Sequence, residues 1–209
     1  EATVTSALTF TAANWNSAQT VTVTGANDNL IDGTITSTIT VAINDGSSDN
    51  NFDSVADQTV SVTTTDDDVA GFTIAQSGGS TSVSESGTTD TFTVVLNAQP
   101  ASNVVLNITS GDTGEATVTG TLTFTAANWN SAQTVTVTGA DDNIIDGTIT
   151  STLTVTVNDG SSDNNFDPVN DQTVSVTTTD NDVAGFTIAE SGGSTSVAET
   201  GSTDTFTVV

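Results

Sequence analysis

Along most of the chain, large apolar residues occupy every second position and threonine fills most of the positions between them. The run from Thr148 to Val157 shows the pattern, with Ile149, Leu153, Val155 and Val157 separated by Thr150, Thr152, Thr154 and Thr156. A period of two places alternate side chains on opposite faces of an extended backbone, so such a run predicts a half-buried strand. The same alternation recurs at Phe72/Ile74, Phe92/Val94/Leu96, Val104/Leu106/Ile108, Leu122/Phe124, Val135/Val137 and Val174/Val176, each run bounded by Gly, Asn, Asp or Ser. No stretch carries a convincing helical period. About seven strands per 114 residues, with turn residues between them, predict an all-β chain built as antiparallel β-sandwiches with Greek-key connections. Threonine suits the solvated face of such sheets because its β-branch favours the extended backbone. Trp129, like its copy Trp15, follows Ala-Ala-Asn in a turn, and Trp129 is expected to plug one end of the sandwich with the apolar body of the indole inward.

The pattern also repeats on a longer scale. Glu1-Ala-Thr-Val-Thr returns as Glu115-Ala-Thr-Val-Thr, a period of 114 residues, and residues 1–95 differ from 115–209 at 14 positions. A period of this length exceeds the roughly 20–50 residues of solenoid repeats and matches a whole small domain, which predicts tandem domains. The acidic run Asp66-Asp67-Asp68-Val69, echoed by Asp180-Asn181-Asp182-Val183, separates strand-rich stretches and reads as the boundary. Residues 69–182 then form one complete repeat, 1–68 the back part of another, and 183–209 the front of the next. The chain begins without Met and stops inside the strand pattern Thr205-Phe206-Thr207-Val208-Val209, so the expectation is a window of a longer repetitive protein. Exchange of front strands between copies is the less economical reading. Two full periods need 228 residues, 19 more than the chain has, and the missing positions correspond to Leu96–Gly114 with its strong strand.

Charge changes the picture most. The chain has no Lys, Arg or His and 26 Asp and Glu, for a formal net charge of −26. Nearly all the acids fall in short clusters between the Thr/Val-rich runs. Two carboxylates about 4 Å apart near a protein surface repel by roughly 4 kcal/mol at an effective dielectric near 20, so clustered acidic turns call for an external cation. Ca²⁺, which takes 6–8 oxygen ligands and tolerates irregular loops, is the expected partner. Nucleic acid and anionic membrane surfaces are poor partners for a chain without basic side chains. No apolar run reaches the 18 residues of a spanning helix, so no direct membrane insertion is expected. Without Cys there are no disulfides. An enzyme is not expected either, since the usual bases and nucleophiles His, Cys and Lys are missing and Ser/Thr hydroxyls have nothing to activate them. Paired carboxylates can hydrolyse glycosides, but that chemistry needs a sugar-positioning cleft.

Within 69–182, one order of motifs carries a family resemblance. Phe72-Thr-Ile is followed by Ser82-Val83-Ser84-Glu85-Ser86-Gly87, then Leu122-Thr-Phe124, Gln133-Thr-Val135-Thr-Val137, Asp141-Asp142 and a closing Thr179-Asp180-Asn181-Asp182. This order resembles a Calx-beta domain, and the resemblance covers the whole repeat. It implies an immunoglobulin-like sandwich of seven strands, of a kind found in sodium/calcium exchangers, integrin β4 and large bacterial surface proteins. It also implies calcium at one end of the sandwich, where the acidic loops meet the C-terminal acidic run. Carried onto this chain, the implied ligands are Glu85, Asp112 in Ser110-Gly-Asp-Thr, Asp141, Asp142 and Asp146 in the loop after Val137, and Asp180 and Asp182. In the first repeat the matching positions are Asp28, Asp32, Asp66, Asp67 and Asp68, and in the third the Val-x-Glu glutamate is Glu199. The richest members of the family carry further glutamates where this chain has Asn143-Ile-Ile-Asp146-Gly147. Asn27 stands where the second copy has Asp141, and Asn181 where the first has Asp67. One or two calcium ions per repeat are therefore expected, and not a four-ion cluster.

Asp and Asn also serve as plain turn residues, because their side chains bond the backbone two residues on. Isolated acids such as Asp90, Asp171 and Asp204 are read that way. The loop Asn158–Asp167 is open to either reading, a second ion at the other end or a turn, and it lacks the spacing of an EF-hand. The functional expectation is a calcium-stabilised structural segment of an extracellular fibre, filament or adhesin stalk at a cell surface. Its partners would be adjacent repeats and other copies. The alternative is an adhesion module that grips glycan, mineral or ice through Thr-rich faces or acidic loops. Salt adaptation would scatter acids over strand faces, whereas these cluster in turns.

Overall fold

A computed structural model describes residues 1–5 and 7–209. The strands among them are β1 (Ala2–Val4), β2 (Val23–Gly25), β3 (Ile35–Val41), β4 (Gln58–Thr64), β5 (Phe72–Gln76), β6 (Thr81–Ser84), β7 (Thr89–Leu96) and β8 (Val104–Ser110). They continue with β9 (Ala116–Val118), β10 (Thr121–Phe124), β11 (Gln133–Gly139), β12 (Ile149–Val157), β13 (Gln172–Thr179), β14 (Ile188–Glu190) and β15 (Phe206–Val208). Strands β5 to β13 make a two-sheet sandwich. One sheet has the order β5-β7-β11-β9 and the other β10-β8-β12-β13-β6.

The sequence alternation becomes the inside and outside of these sheets. In β7, Phe92, Val94 and Leu96 are buried, and in β11 Val135 and Val137 face them from the same sheet. Leu106, Leu153, Val155 and Val174 close the core from the other sheet, and Phe124 and Phe166 fill it. Trp129 is half-buried at one end, packed against this core, and its carbonyl accepts from the Leu96 N–H at 3.1 Å.

The sandwich has two strands more than the alternation alone suggests. Strands β6 and β9 hold only three or four residues with little large apolar content, Thr-Ser-Val-Ser and Ala-Thr-Val, so they carry no readable period. Their place comes from pairing. Strand β9 runs antiparallel to β11 with Ala116 opposite Gly139, and β6 runs parallel to β13 with Ser84 opposite Thr179. That one parallel join interrupts an otherwise antiparallel sandwich and decides where Glu85 goes.

The flanking segments form two-stranded ribbons, β1 with β2, β3 with β4, and β14 with β15. They repeat the sequence of the sandwich without its burial: Phe10, the copy of Phe124, is 53% exposed, while Phe124 is fully buried. Among the described residues no helix is long and apolar enough to cross a membrane. The two phenylalanines make a matched test. Phe124→Ala is expected to cost about 3–5 kcal/mol in urea unfolding. Phe10→Ala, at a surface position, is expected to cost less than about 1 kcal/mol. Equal costs would show that the first ribbon pair packs as tightly as the sandwich.

Candidate metal centre

One end of the sandwich gathers acids from both sheets, and backbone ladders put them there. Past the parallel pair of β6 and β13, the Glu85 N–H donates to Thr179 O at 3.1 Å and the Asn181 N–H donates back to Glu85 Oε2 at 3.1 Å. Glu85 therefore lies beside Asp180 and Asp182 and is only 1% exposed. On the other sheet, the residue before β9 is Glu115, whose carbonyl accepts from the Ala140 N–H at 2.9 Å and whose side chain is 6% exposed. Gly139 brings the sheets together at this point. A Cβ there would stand 2.0 Å from Ser84 O, so only glycine permits β11 to pass so close to the end of β6.

Two overlapping groups of carboxylates result. Glu85, Asp180 and Asp182 can offer oxygens within 4.8 Å of one another, and so can Glu85, Glu115 and Asp146. Asp146 is held in place by its neighbour Gly147, which has φ +79° and donates its N–H to Asp180 Oδ2 at 2.8 Å. A third group, Asp66, Asp67 and Asp68, lies in the first segment.

The acids divide by what their oxygens already do. Asp180 takes the Asp182 N–H at 2.6 Å on Oδ1 and the Gly147 N–H on Oδ2, and these two bonds hold its pKa below the ordinary value of 3.8. Asp66 is built the same way, its pKa lowered by the N–H groups of Asp68 and Gly33. Such residues are clamps. By contrast, Glu115 Oε2 and Asp182 Oδ2 are buried and, among the described residues, have no hydrogen-bond partner. Burial pushes the Glu115 carboxyl above its ordinary 4.5, and the charges of Asp146, Asp112 and Glu85 push it further. Asp182 rises for the same reason, burial first and then Asp180 and Asp141. At Glu85 the Asn181 N–H pulls downward, but burial and the charges of Asp180, Asp142 and Asp146 outweigh it and the net shift is upward. Asp68 in the first segment is raised by burial and then by Asp66 and Asp67.

A buried carboxylate oxygen without a partner is costly, and this chain has no side-chain cation to supply one. The donor set is all oxygen and all anionic, which fits a hard divalent ion of the calcium type and not a metal that prefers nitrogen or sulfur.

The remaining expected ligands stand as follows. Asp141 Oδ1 accepts from Asn181 Nδ2 at 3.0 Å, so the asparagine that stands where the first copy has Asp67 ties the two acidic loops together. Asp142 Oδ1 accepts from the Ile144 N–H at 2.6 Å and shapes its own loop. Asp112 is exposed, with Oδ1 bonded to the Gly114 N–H at 3.1 Å, and it belongs to none of the three groups. Asp28 Oδ1 takes the Leu30 N–H at 2.9 Å, and the Asp32 N–H donates to Asp66 Oδ2 at 3.1 Å. Glu199 is exposed in the last segment and joins no group. Glu115, which the sequence-based ligand set does not include, joins one of these groups. Its only signal was its place at the head of the repeated Glu-Ala-Thr-Val-Thr motif. At the other end, Asp163 in the ambiguous loop is a staple: Oδ2 accepts from the Ser102 N–H at 2.9 Å and Oδ1 from the Asn165 N–H at 3.0 Å.

No protein-family model and no curated protein sequence matches the chain. Among solved structures, it is similar to domains 4 and 5 of the S-layer protein SbsC, at 23% identity over 69% of this chain and 57% of that one, with a TM-score of 0.40. It is also similar to domains 4–9 of SbsC, at 25% identity over 65% of this chain and 18% of that one, with a TM-score of 0.37. An apo-form Calx CBD1 domain matches at 14% identity over 53% of this chain and 98% of that one, with a TM-score of 0.37. The chain thus spans less than two thirds of the length of both SbsC structures.

The raised carboxyls give a pH signature. Their favourable contribution to folding is fully present below the unfolded-chain values of 4.5 for Glu115 and 3.8 for Asp182, and it is lost as pH rises through the higher folded values. In chelator, the melting temperature is therefore expected to rise as the pH is lowered from neutral towards 4.5. The lowered Asp180 and Asp66 lose their contribution only below 3.8, outside that window. With a divalent ion on these carboxylates the trend would reverse, because protons would compete with it. Glu115→Gln should raise the melting temperature in chelator at neutral pH and flatten its rise on acidification. A melting temperature that falls on acidification in chelator would contradict this account of the site.

Proposed function

We propose that the chain is a calcium-stabilised structural segment of a surface-exposed extracellular fibre or stalk, built from Calx-beta-like repeats at 1–68, 69–182 and 183–209. The observation that carries the reading is the pair of buried glutamates, Glu85 and Glu115. They come from opposite sheets, they share one end of the sandwich with Asp146, Asp180 and Asp182, and two oxygens of the set are unpartnered. An ion there would bind the two sheets to each other and to Asp180–Asp182, the run that leads into the next segment. The connection between repeats would thereby change from a flexible string to a stiff joint.

The two overlapping groups support one or two ions per repeat, with Glu85 common to both. In the first segment Asp66, Asp67 and Asp68, with Asp28 and Asp32 nearby, would hold the equivalent ion. The role is mechanical and not catalytic. The absence of Lys and Arg also leaves trypsin-like proteases no cleavage site, which suits a persistent external fibre.

Extracellular calcium modules bind with dissociation constants of about 10⁻⁴–10⁻³ M. At ten times that concentration each site adds roughly 1.4 kcal/mol through preferential binding to the folded state. Calcium is thus expected to raise the melting temperature, and Glu85→Gln or Asp182→Asn to remove most of the gain. Calorimetric titration measures the binding directly. Identical melting curves in calcium and in excess chelator would sink the proposal. At the level of the fibre, imaging in calcium and in chelator plus magnesium at matched ionic strength is expected to show rods in the first case and bent strings in the second, since neighbouring acidic repeats repel wherever their charges lie within about 8 Å screening length.

A further inference from the structure

Two copies of one loop occupy opposite situations. Asn29-Leu30-Ile31 lies against the end of the sandwich reached by the C-terminus of β7, far from the metal centre. There the Gln99 N–H donates to Asn29 O at 2.7 Å, the Ile31 N–H donates to Gln99 O at 3.4 Å, and Asn165 Nδ2 donates to Ile31 O at 3.1 Å. Leu30 and Gln99 form a parallel bridge, and Ile31 packs against the sandwich core together with Val169. The second copy, Asn143-Ile144-Ile145, projects from the metal end with nothing on it: Ile144 is 61% and Ile145 57% exposed.

Yet the two loops are built alike. Asp28 Oδ1 caps the Leu30 N–H at 2.9 Å, and Asp142 Oδ1 caps the Ile144 N–H at 2.6 Å. Gly33 and Gly147 have φ of +73° and +79°, and each donates its N–H at 2.8 Å to the clamp aspartate, Asp66 or Asp180. The free loop already has the hydrogen-bonded frame of the seated one, so little ordering remains to oppose docking. Two adjacent exposed isoleucines at the tip of a polar acidic loop are also a poor surface for water and a good one for a partner.

We propose that Asn143-Ile144-Ile145 is the docking tip of the 69–182 sandwich, and that its occupant is the Gln99/Asn165 end of another repeat of this same type. It seats there as Asn29-Leu30-Ile31 seats within the chain: a main-chain bridge fixes the register and the second isoleucine enters beside the valine of the Phe-Asp-Pro-Val turn. The inference rests on the reading of the chain as a stack of repeats, but the contact itself uses no metal ligand side chain. It defines the joint as an ordered apolar and main-chain interface, which an ion at the root of the loop reinforces.

The chain has no Cys, so Thr38→Cys and Thr152→Cys place a spin-label pair on exposed positions of β3 and β12 without further change. Pulsed EPR in calcium is expected to give one narrow distance distribution, and Ile31→Ser or Asn165→Ala to widen it several-fold while calorimetry still shows calcium binding with the same stoichiometry. Asn165 is exposed, so its variant tests the contact without threatening the fold. Unchanged widths in both variants would overturn the docking and leave the metal reading standing. Widening in a chain that binds no calcium would support the docking and overturn the metal reading. The free tip is tested by titrating isotope-labelled Ile31→Ser chain, whose own seat is vacated, with unlabelled wild-type chain. The amide resonances of Gln99 and Asn165 are expected to shift, and Ile145→Ser in the unlabelled chain to abolish the shift. No shift with wild type would overturn the proposed occupant.

Discussion

Two glutamates that a chain without cations buries against each other set the terms for the rest of this protein. Glu85 and Glu115 cannot move apart freely, because each continues a main-chain ladder. Glu85 extends the β6/β13 pair, and Glu115 leads into the β9/β11 pair. Gly139 allows the two ladders to meet. A buried carboxylate is ordinarily met by Arg or Lys, and where neither exists and backbone N–H groups leave an oxygen unpartnered, as at Glu115 and Asp182, a proton or an ion from solution can meet it. The stability of this end is therefore coupled to the solution in a way that the neutral, Thr-faced sheets are not.

The carboxylates around this pair separate into two physical kinds. Asp180 and Asp66 accept two or more backbone N–H groups, which favours the charged form and turns them into rigid loop clamps. Glu115 and Asp182 keep an oxygen that nothing among the described residues satisfies. Clamp and ligand adjoin in sequence and space, so the same short run both shapes the loop and offers oxygens to an ion. Charge density alone would not separate the two kinds, since the clamp and the open ligand can be the same residue type two positions apart.

This arrangement links the acid cluster to the exposed loop tip. The loop from Asp142 to Gly147 is fixed at its foot by Asp142 and Asp180, and its apolar tip projects away from the sandwich. The corresponding loop, clamped by Asp28 and Asp66, reaches the β5–β13 sandwich and bridges to Gln99. Acid cluster and apolar tip are thus two ends of one short loop. Whatever stiffens the foot also holds the tip in its docking geometry.

Much of this protein was readable from the residue pattern. Alternation along Phe92-Val94-Leu96 and Leu153-Val155 reports burial directly, because a strand's period of two is a local property of the backbone. The repeat, the concentration of acids in turns and the want of any protein counter-charge are also properties of the string of residues. The length of β6 and β9, the parallel join of Ser84 to Thr179, and the company of Glu115 are not. Asp112 and Glu115 lie three residues apart, and nothing local marks which of them is buried. One is exposed in a turn and the other is buried among carboxylates because β9 pairs with β11 in one register, bringing Ala116 opposite Gly139. Sequence by itself determined which residues share one face of each strand and that no side chain of opposite charge answers the acids. Only the tertiary structure decided which oxygens converge, since convergence depends on the register between strands far apart in the chain and on Gly139, which lets the two sheets touch.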